Sequence, residues 1–176
     1  MNVYNLSKRQ IAVVQRLTRI PRQLLYTGEY ENPAELVLGE LCHIDCFNVS
    51  RAAYFVDNPD FDCARGIAGY DSSDHDGVLE NCWIEKDAFG ARMQCSSFHT
   101  HVRSLLPASI HRTSDRAYAL AELAQVLDIR VPAVTFFDMP YDNKGFVIFE
   151  KPTEDIVELE SFWEDACSLL AFCPLA

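Results

Sequence analysis

The sequence predicts an α/β (α+β) fold in which a mixed β-sheet is flanked by helices. Runs rich in β-branched and aromatic residues predict strands, and apolar residues at helical spacing predict helices. The clearest strand runs are 52–56, 131–137 and 146–149, and the clearest helical patterns are 6–20 and 116–127. Because strands do not alternate strictly with helices, a doubly wound sheet is not expected. The length of 176 residues predicts one domain, spanning 1–176.

The charge of the chain indicates which partners to exclude, and its cysteines indicate the cellular compartment. The chain has 15 basic and 26 acidic residues, for a net charge of −11. A charge this negative repels phosphate backbones and anionic membranes, so we expect neither nucleic acid nor a membrane as a partner. Seven cysteines cannot all pair within the chain, and the N-terminus lacks the apolar run of a signal peptide. We therefore expect a cytoplasmic protein with mostly buried, free thiols.

The N-terminal half predicts a helix, a turn and two strands. The helix at 6–20 has Ser7 as its N-cap, and Pro21 is expected to end it. The apolar run 35–41 predicts a strand, with a helix left open as the alternative. A second strand at 52–56 leads into a loop-rich stretch at 57–77.

The C-terminal half predicts a strand, a helix, a β-hairpin and a last helix. Residues 91–98 predict a strand that leads into a histidine pair, and residues 113–115 predict the start of the helix that ends at 127. The runs 131–137 and 146–149 form a hairpin around a turn at 141–145, and Thr153 caps the last helix, over 153–172.

The histidine pair is the most informative chemical feature. On a strand, His99 and His101 would project from the same face, where two imidazoles can hold one Zn²⁺. Asp115, at the start of the next helix, could be the third ligand. Three protein ligands leave a position for water, which is the pattern of catalytic zinc. A solvated strand end and an ordinary helix cap are the alternative interpretations of these residues.

The same segment resembles the motif of the JAB/MPN (JAMM) zinc metalloproteases, a family that includes bacterial deubiquitinase-like domains. Their pattern is His-x-His, seven residues, Ser, two residues and Asp. His99-Thr100-His101 and Ser109 match it, position 112 is Arg, and Asp115 is three residues later than the motif's aspartate. The resemblance implies a JAB/MPN-like fold with a cytidine-deaminase-like layer arrangement, and Zn²⁺ held by His99, His101 and Asp115.

The resemblance also implies an activity, the hydrolysis of a peptide or isopeptide bond. Glu35 would be the general base, with Glu31 and Glu40 as alternatives. Ser109, or else Ser114, would donate a hydrogen bond to the oxyanion. The substrate implied is a protein, such as one carrying the tail of a ubiquitin-like modifier.

Two other functions remain open at this point. The chain could be a non-catalytic MPN-like or unrelated α/β interaction module, or a metal-dependent hydrolase of a small molecule. A zinc enzyme needs its ligands to converge around an open position, and an interaction module would instead show an exposed apolar patch.

Overall fold

A four-stranded antiparallel sheet lies at the centre of the computed structural model, which describes residues 7–58, 60–74, 81–152 and 159–174. Its strands lie in the order β2-β1-β4-β3. They are β1 (Arg51–Asn58), β2 (Cys63–Asp71), β3 (Pro132–Asp138) and β4 (Lys144–Glu150). The helices are α1 (Lys8–Leu17), α2 (Ile20–Leu24), α3 (Pro33–Cys42), α4 (Lys86–Cys95), α5 (Ser97–Ser104), α6 (Arg116–Val126) and α7 (Glu160–Cys167). Short 3-10 turns follow β2 and α7, at Ser72–Asp74 and Ser168–Phe172.

The two faces of the sheet contribute to two apolar clusters. On one face, Tyr54 packs with residues of α3 and α7 such as Leu38 and Trp163. On the other face, Phe55 packs with Val102 of α5, together with residues of α6. Because helices cover both faces, the predicted class of a sheet flanked by helices is confirmed. The prediction that the sheet is mixed is wrong, because all its strand pairs are antiparallel. The JAB/MPN-like arrangement of these elements stays a prediction.

The N-terminal helix forms as predicted, although it ends earlier. The Ser7 side chain accepts a hydrogen bond from the backbone N–H of Gln10, and the Gln10 side chain accepts one from the backbone N–H of Ser7. This reciprocal pair satisfies two backbone donors that would otherwise lack partners. Pro21 does not end the helical region, because it occupies the first turn of the short helix α2, where its missing N–H costs nothing.

The strand predicted at 35–41 is wrong, and the alternative of a helix is confirmed, because this run lies in helix α3. All ten residues of α3 are buried, so no polar side marks the helical period in the sequence. Pro33 occupies the first turn, where proline is favoured, and the leucine, alanine and glutamate content suits a helix.

The middle of the chain differs most from the prediction. The loop expected at 57–77 contains strand β2, and the strand expected at 91–98 is replaced by the end of α4 and the start of α5. The glycines of β2 weaken its strand signal. Ser96 caps α5 by accepting a hydrogen bond from the backbone N–H of His99. The predicted β-strand geometry of the histidine pair is therefore wrong.

The C-terminal elements agree with the prediction. Helix α6 begins after Asp115, whose side chain accepts a hydrogen bond from the Tyr118 backbone, and β3 and β4 form the predicted hairpin. The predicted cap Thr153 lies outside the described residues, and the last helix is described from Glu160 to Cys167. All seven cysteines are free and five are buried, as expected. Every described helix is too short or too polar to cross a membrane.

Candidate functional site

The histidine pair divides between two environments on α5. His99 is buried at 2% exposure, whereas His101 is exposed to solvent. Residues two apart on a helix leave its axis about 200° apart, so the two imidazoles point in nearly opposite directions. This placement does not fit one zinc ion shared by His99 and His101.

Both ring nitrogens of His99 face protein groups. Nδ1 accepts a hydrogen bond of 3.2 Å from the backbone N–H of Gly69 on β2. A neutral imidazole that accepts at Nδ1 carries its proton on Nε2, and therefore has no lone pair there for a metal. That Nε2 lies 3.3 Å from Oε1 of Glu35 but is not aligned for a hydrogen bond, so the contact is electrostatic. His99 therefore connects α5 to β2 and α3.

Glu35 lies at the centre of this buried network. The Tyr30 hydroxyl donates to its Oε2 at 3.1 Å, and the Asn32 side-chain amide donates to its Oε1 at 3.0 Å. The same amide also donates to the backbone carbonyl of Ile67 on β2, at 3.0 Å. Burial and the neighbouring Glu35 carboxylate raise the pKa of Tyr30 well above its usual value, so its hydroxyl stays a donor. The carboxylate is thus held by the chain's own donors, as buried charge requires.

Glycines allow the elements of this network to approach each other. A Cβ on Gly66 would overlap the backbone carbonyl of Val102, and one on Gly69 would lie 2.7 Å from the Val102 side chain. A Cβ on Gly90 would lie 2.5 Å from the Tyr30 hydroxyl, which donates to Glu35. The short distances of the network therefore depend on positions without side chains.

A polar cleft of about 560 Å³ opens above the Glu35 carboxylate. Its lining combines acidic residues such as Glu31 and Asp87 with the basic side chains of Lys86 and Arg103. The Lys86 ammonium group donates to the backbone carbonyl of Thr27 at 3.3 Å. Of the predicted general bases, Glu35 is therefore part of a cleft and Glu31 lies at its wall. Glu40 pairs with Arg16 at 2.7 Å instead.

Asp115 and Ser109 lie apart from the cleft. Asp115 is exposed and caps α6, and Ser109 is buried, with its hydroxyl accepting a hydrogen bond from the Arg112 backbone. Ser109 lines a second concavity, which shares no lining residue with the Glu35 cleft. Within the described residues, no group of three or more His, Cys, Asp or Glu side chains is arranged to hold a metal. A zinc cofactor stays a prediction.

The second concavity is a mostly apolar groove of about 400 Å³ between α6 and the segment 105–110. This segment runs along β2, because Ala64 and Gly66 donate backbone hydrogen bonds to Pro107 and Leu105. The side chain of Leu106, between those two acceptors, is left 65% exposed. Glu122 is the one charged residue among those that line the groove.

Helix α6 has an unusual solvent-facing surface. A surface helix normally carries charged residues opposite its apolar stripe. Leu123 and Ala124 of α6 are buried against the sheet. Its exposed residues are mostly uncharged, with two charged side chains among the seven: Arg116, Ala117, Tyr118, Ala121, Glu122, Gln125 and Val126. Tyr118 is 61% and Val126 is 53% exposed. This helix was predicted from the sequence but its largely uncharged exposed surface was not, although the scarcity of charge along 116–127 could have indicated it.

Comparisons with protein-family models, with curated proteins and with solved structures found no match to this chain. The two concavities therefore have to be judged by their chemistry alone.

Proposed function

We propose that this protein is an interaction module that binds an amphipathic helix of a partner protein in the groove beside α6. The observation that carries the proposal is the exposed, largely uncharged surface of α6 next to the exposed side chain of Leu106. A cluster of exposed apolar side chains around one groove is typical of surfaces that bind a partner.

A helix suits the groove better than an extended strand. Ala117 and Ala121 lie one turn apart on the exposed side of α6, so another helix could approach it closely. The backbone of 105–108 is already hydrogen bonded to β2, so fewer of its groups remain for pairing with an added strand. Apolar residues at positions i, i+3, i+4 and i+7 of the partner would contact Leu106, Leu123 and Val126.

Selection from a displayed library of 20-residue amphipathic helices tests the proposal, with calorimetric titration of the selected peptides. We expect Leu106→Asp and Val126→Asp to weaken their binding at least tenfold, because a carboxylate would then need to be buried against apolar groups. Ile84→Asp is the matched control, since Ile84 is 79% exposed and does not line the groove.

Two results would contradict the proposed helix-binding function. Selected peptides that bind the Leu106→Asp variant as tightly as the unmodified chain would contradict the proposal. Light scattering that shows a stable dimer, dissociated by Val126→Asp, would mean that a second copy covers α6 instead.

The zinc-dependent peptidase of the sequence analysis remains a separate prediction. It requires about one zinc per chain, lost in the His99→Ala/His101→Ala double variant. Elemental analysis of the purified protein and the double variant measures this directly.

A further inference from the structure

The two edges of the central sheet differ in how they are covered. At the β2 edge, Ala64 and Gly66 donate backbone hydrogen bonds to the segment 105–107, which runs alongside the strand. At the β3 edge, β4 is the neighbour on one side. Across the part of the chain that the structure describes, no group is hydrogen bonded to the backbone on the other side of β3. That side is therefore an open edge.

The hydrogen bonds at the two ends of the β3–β4 hairpin show which residues of β3 face this open edge. The Lys151 N–H donates to the Val131 carbonyl at 2.9 Å, and the Met139 N–H donates to the Asn143 carbonyl at 3.1 Å. In an antiparallel pair every second residue exchanges hydrogen bonds with the strand opposite, so the odd-numbered residues of β3 point their backbone groups at β4. Three other residues point both backbone groups outward: Val134, Phe136 and Asp138.

The centre of this edge lacks the devices that usually protect an edge strand. Bulges, charged side chains and prolines normally prevent a further strand from adding. Strand β3 pairs with β4 without a register shift, and its one proline, Pro132, lies at the start. Asp138, at the end, is paired with Lys144 of β4. Val134 and Phe136 between them therefore leave an uncharged stretch of backbone open for pairing.

We infer that β3 of a second copy of this chain pairs antiparallel with this edge and joins the two sheets into one. When Phe136 faces Phe136 of the second copy, Val134 faces Asp138, and every outward N–H and C=O of the three residues has a partner. Sliding the strands by one pair in either direction places Pro132 or Pro140, which have no N–H, opposite one of them. The central register also places two phenyl rings side by side, a favourable cross-strand pair.

The residues beyond the two ends of the edge are complementary in the same register. Arg130 lies nearest to Asp142 of the second copy, and both are exposed and form no ion pair among the described residues. Val131, 58% exposed, lies nearest to Tyr141 of the second copy, 94% exposed. A two-fold interface needs such self-complementarity, because each contact occurs twice. None of these residues lines the groove beside α6, so the inference is independent of the proposed helix binding.

Sedimentation equilibrium over a series of protein concentrations tests the inference through one backbone N–H. Val134→Pro removes an outward donor and leaves the hydrogen bonds between β3 and β4 intact, so we expect dimerisation to weaken at least tenfold. Val134→Ala is the matched control, because it shortens the same side chain but keeps the N–H, and we expect less than a threefold change. Circular dichroism and urea denaturation check that both variants are folded.

A charge exchange tests the same register without a proline. We expect Arg130→Asp and Asp142→Arg each to weaken the dimer at least threefold, because like charges would then meet at both ends of the shared edge. The variant with both changes should regain the affinity of the unmodified chain, since the pair is restored with its signs exchanged.

Three results would overturn the inference. The first is a chain that stays monomeric up to about 1 mM. The second is a dimer that folded Val134→Pro leaves unchanged, which would place the contact elsewhere on the surface. The third is a lack of rescue in the double charge variant while each single change weakens the dimer, which would exclude the register centred on Phe136.

Discussion

The polar cleft above Glu35 and the apolar groove beside α6 differ in whether their side chains already have partners within the chain. At the cleft, Glu35 accepts hydrogen bonds from Tyr30 and Asn32 of the same chain, and His99, buried behind it, accepts one from Gly69. In the groove, Leu106 and Val126 remain exposed. The side chains of the cleft are therefore already used within the fold, whereas the groove leaves apolar area unburied, which is the basis of the proposed binding site.

If the network around His99 stabilises the fold, a substitution that pushes its elements apart should lower the free energy of unfolding the most. Gly66→Ala places a Cβ against the backbone carbonyl of Val102, so α5 must move away from β2. We expect the free energy of unfolding to fall by about 3 kcal/mol, measured by urea denaturation. A loss below about 0.5 kcal/mol would mean that α5 can shift away from β2 at little cost. Gly28→Ala is not a suitable control, because the positive φ of Gly28 would itself strain an alanine.

The two histidines of α5 should differ sharply in their effect on stability. His99→Ala removes a buried ring and leaves the Gly69 N–H without its acceptor, so we expect a loss of about 3 kcal/mol. His101→Ala, on the exposed side of the same helix, should change the free energy of unfolding by less than about 0.5 kcal/mol. Equal losses, accompanied by release of zinc from both variants, would support a shared metal site instead.

Glu35→Gln tests whether the carboxylate is held as an acceptor. An amide nitrogen would face one of the donors that now point at the carboxylate, so we expect a loss of about 2 kcal/mol in thermal or urea unfolding. Glu31→Gln is the control, because Glu31 is exposed at the wall of the same cleft. If Glu35→Gln were as stable as the control, the network would contribute little to the fold.

The smallest expected effect is a pH dependence of the free energy of unfolding that arises from His111, near the groove. Burial lowers the pKa of His111, aided by Arg116 and Lys144 and opposed by Asp57 and Asp138. The unfolded chain then binds the proton more readily than the folded chain, so stability is complete above about pH 6.5 and falls as the pH drops through the lowered value. We expect His111→Gln to reduce the slope of the unfolding free energy between pH 7 and pH 5. An unchanged slope would show that His111 does not contribute to it.

Local signals made parts of the fold predictable. Helix α6 and the β3–β4 hairpin follow from an N-cap at Asp115 and from runs of β-branched and aromatic residues. Helix α3 was misassigned because a helix buried on every side shows no polar period. Strand β2 was missed because Gly66 and Gly69, which disfavour a strand, are required by the close approach of α5.

The candidate site was only partly predictable for the same reason. Glu35 and His99 were singled out by residue type, but their contact depends on how α3 and α5 pack, which no local pattern shows. The shared zinc of His99 and His101 followed from an assumed strand, and a helix separates the two rings. The exposed surface of α6 depends on which side of that helix faces the sheet, which is a tertiary property.

Site-specific photo-crosslinking from the two concavities tests the central claim most directly. A photoreactive residue replaces Val126 in the groove or Gln94 in the polar cleft, and each protein is irradiated in a lysate of the source cells. We predict that Val126 crosslinks to an amphipathic helical segment of one protein, that Gln94 does not, and that a synthetic peptide of that segment loses binding to Leu106→Asp. Crosslinks to a protein segment from Gln94 alone would contradict the account and make the Glu35 cleft the binding site.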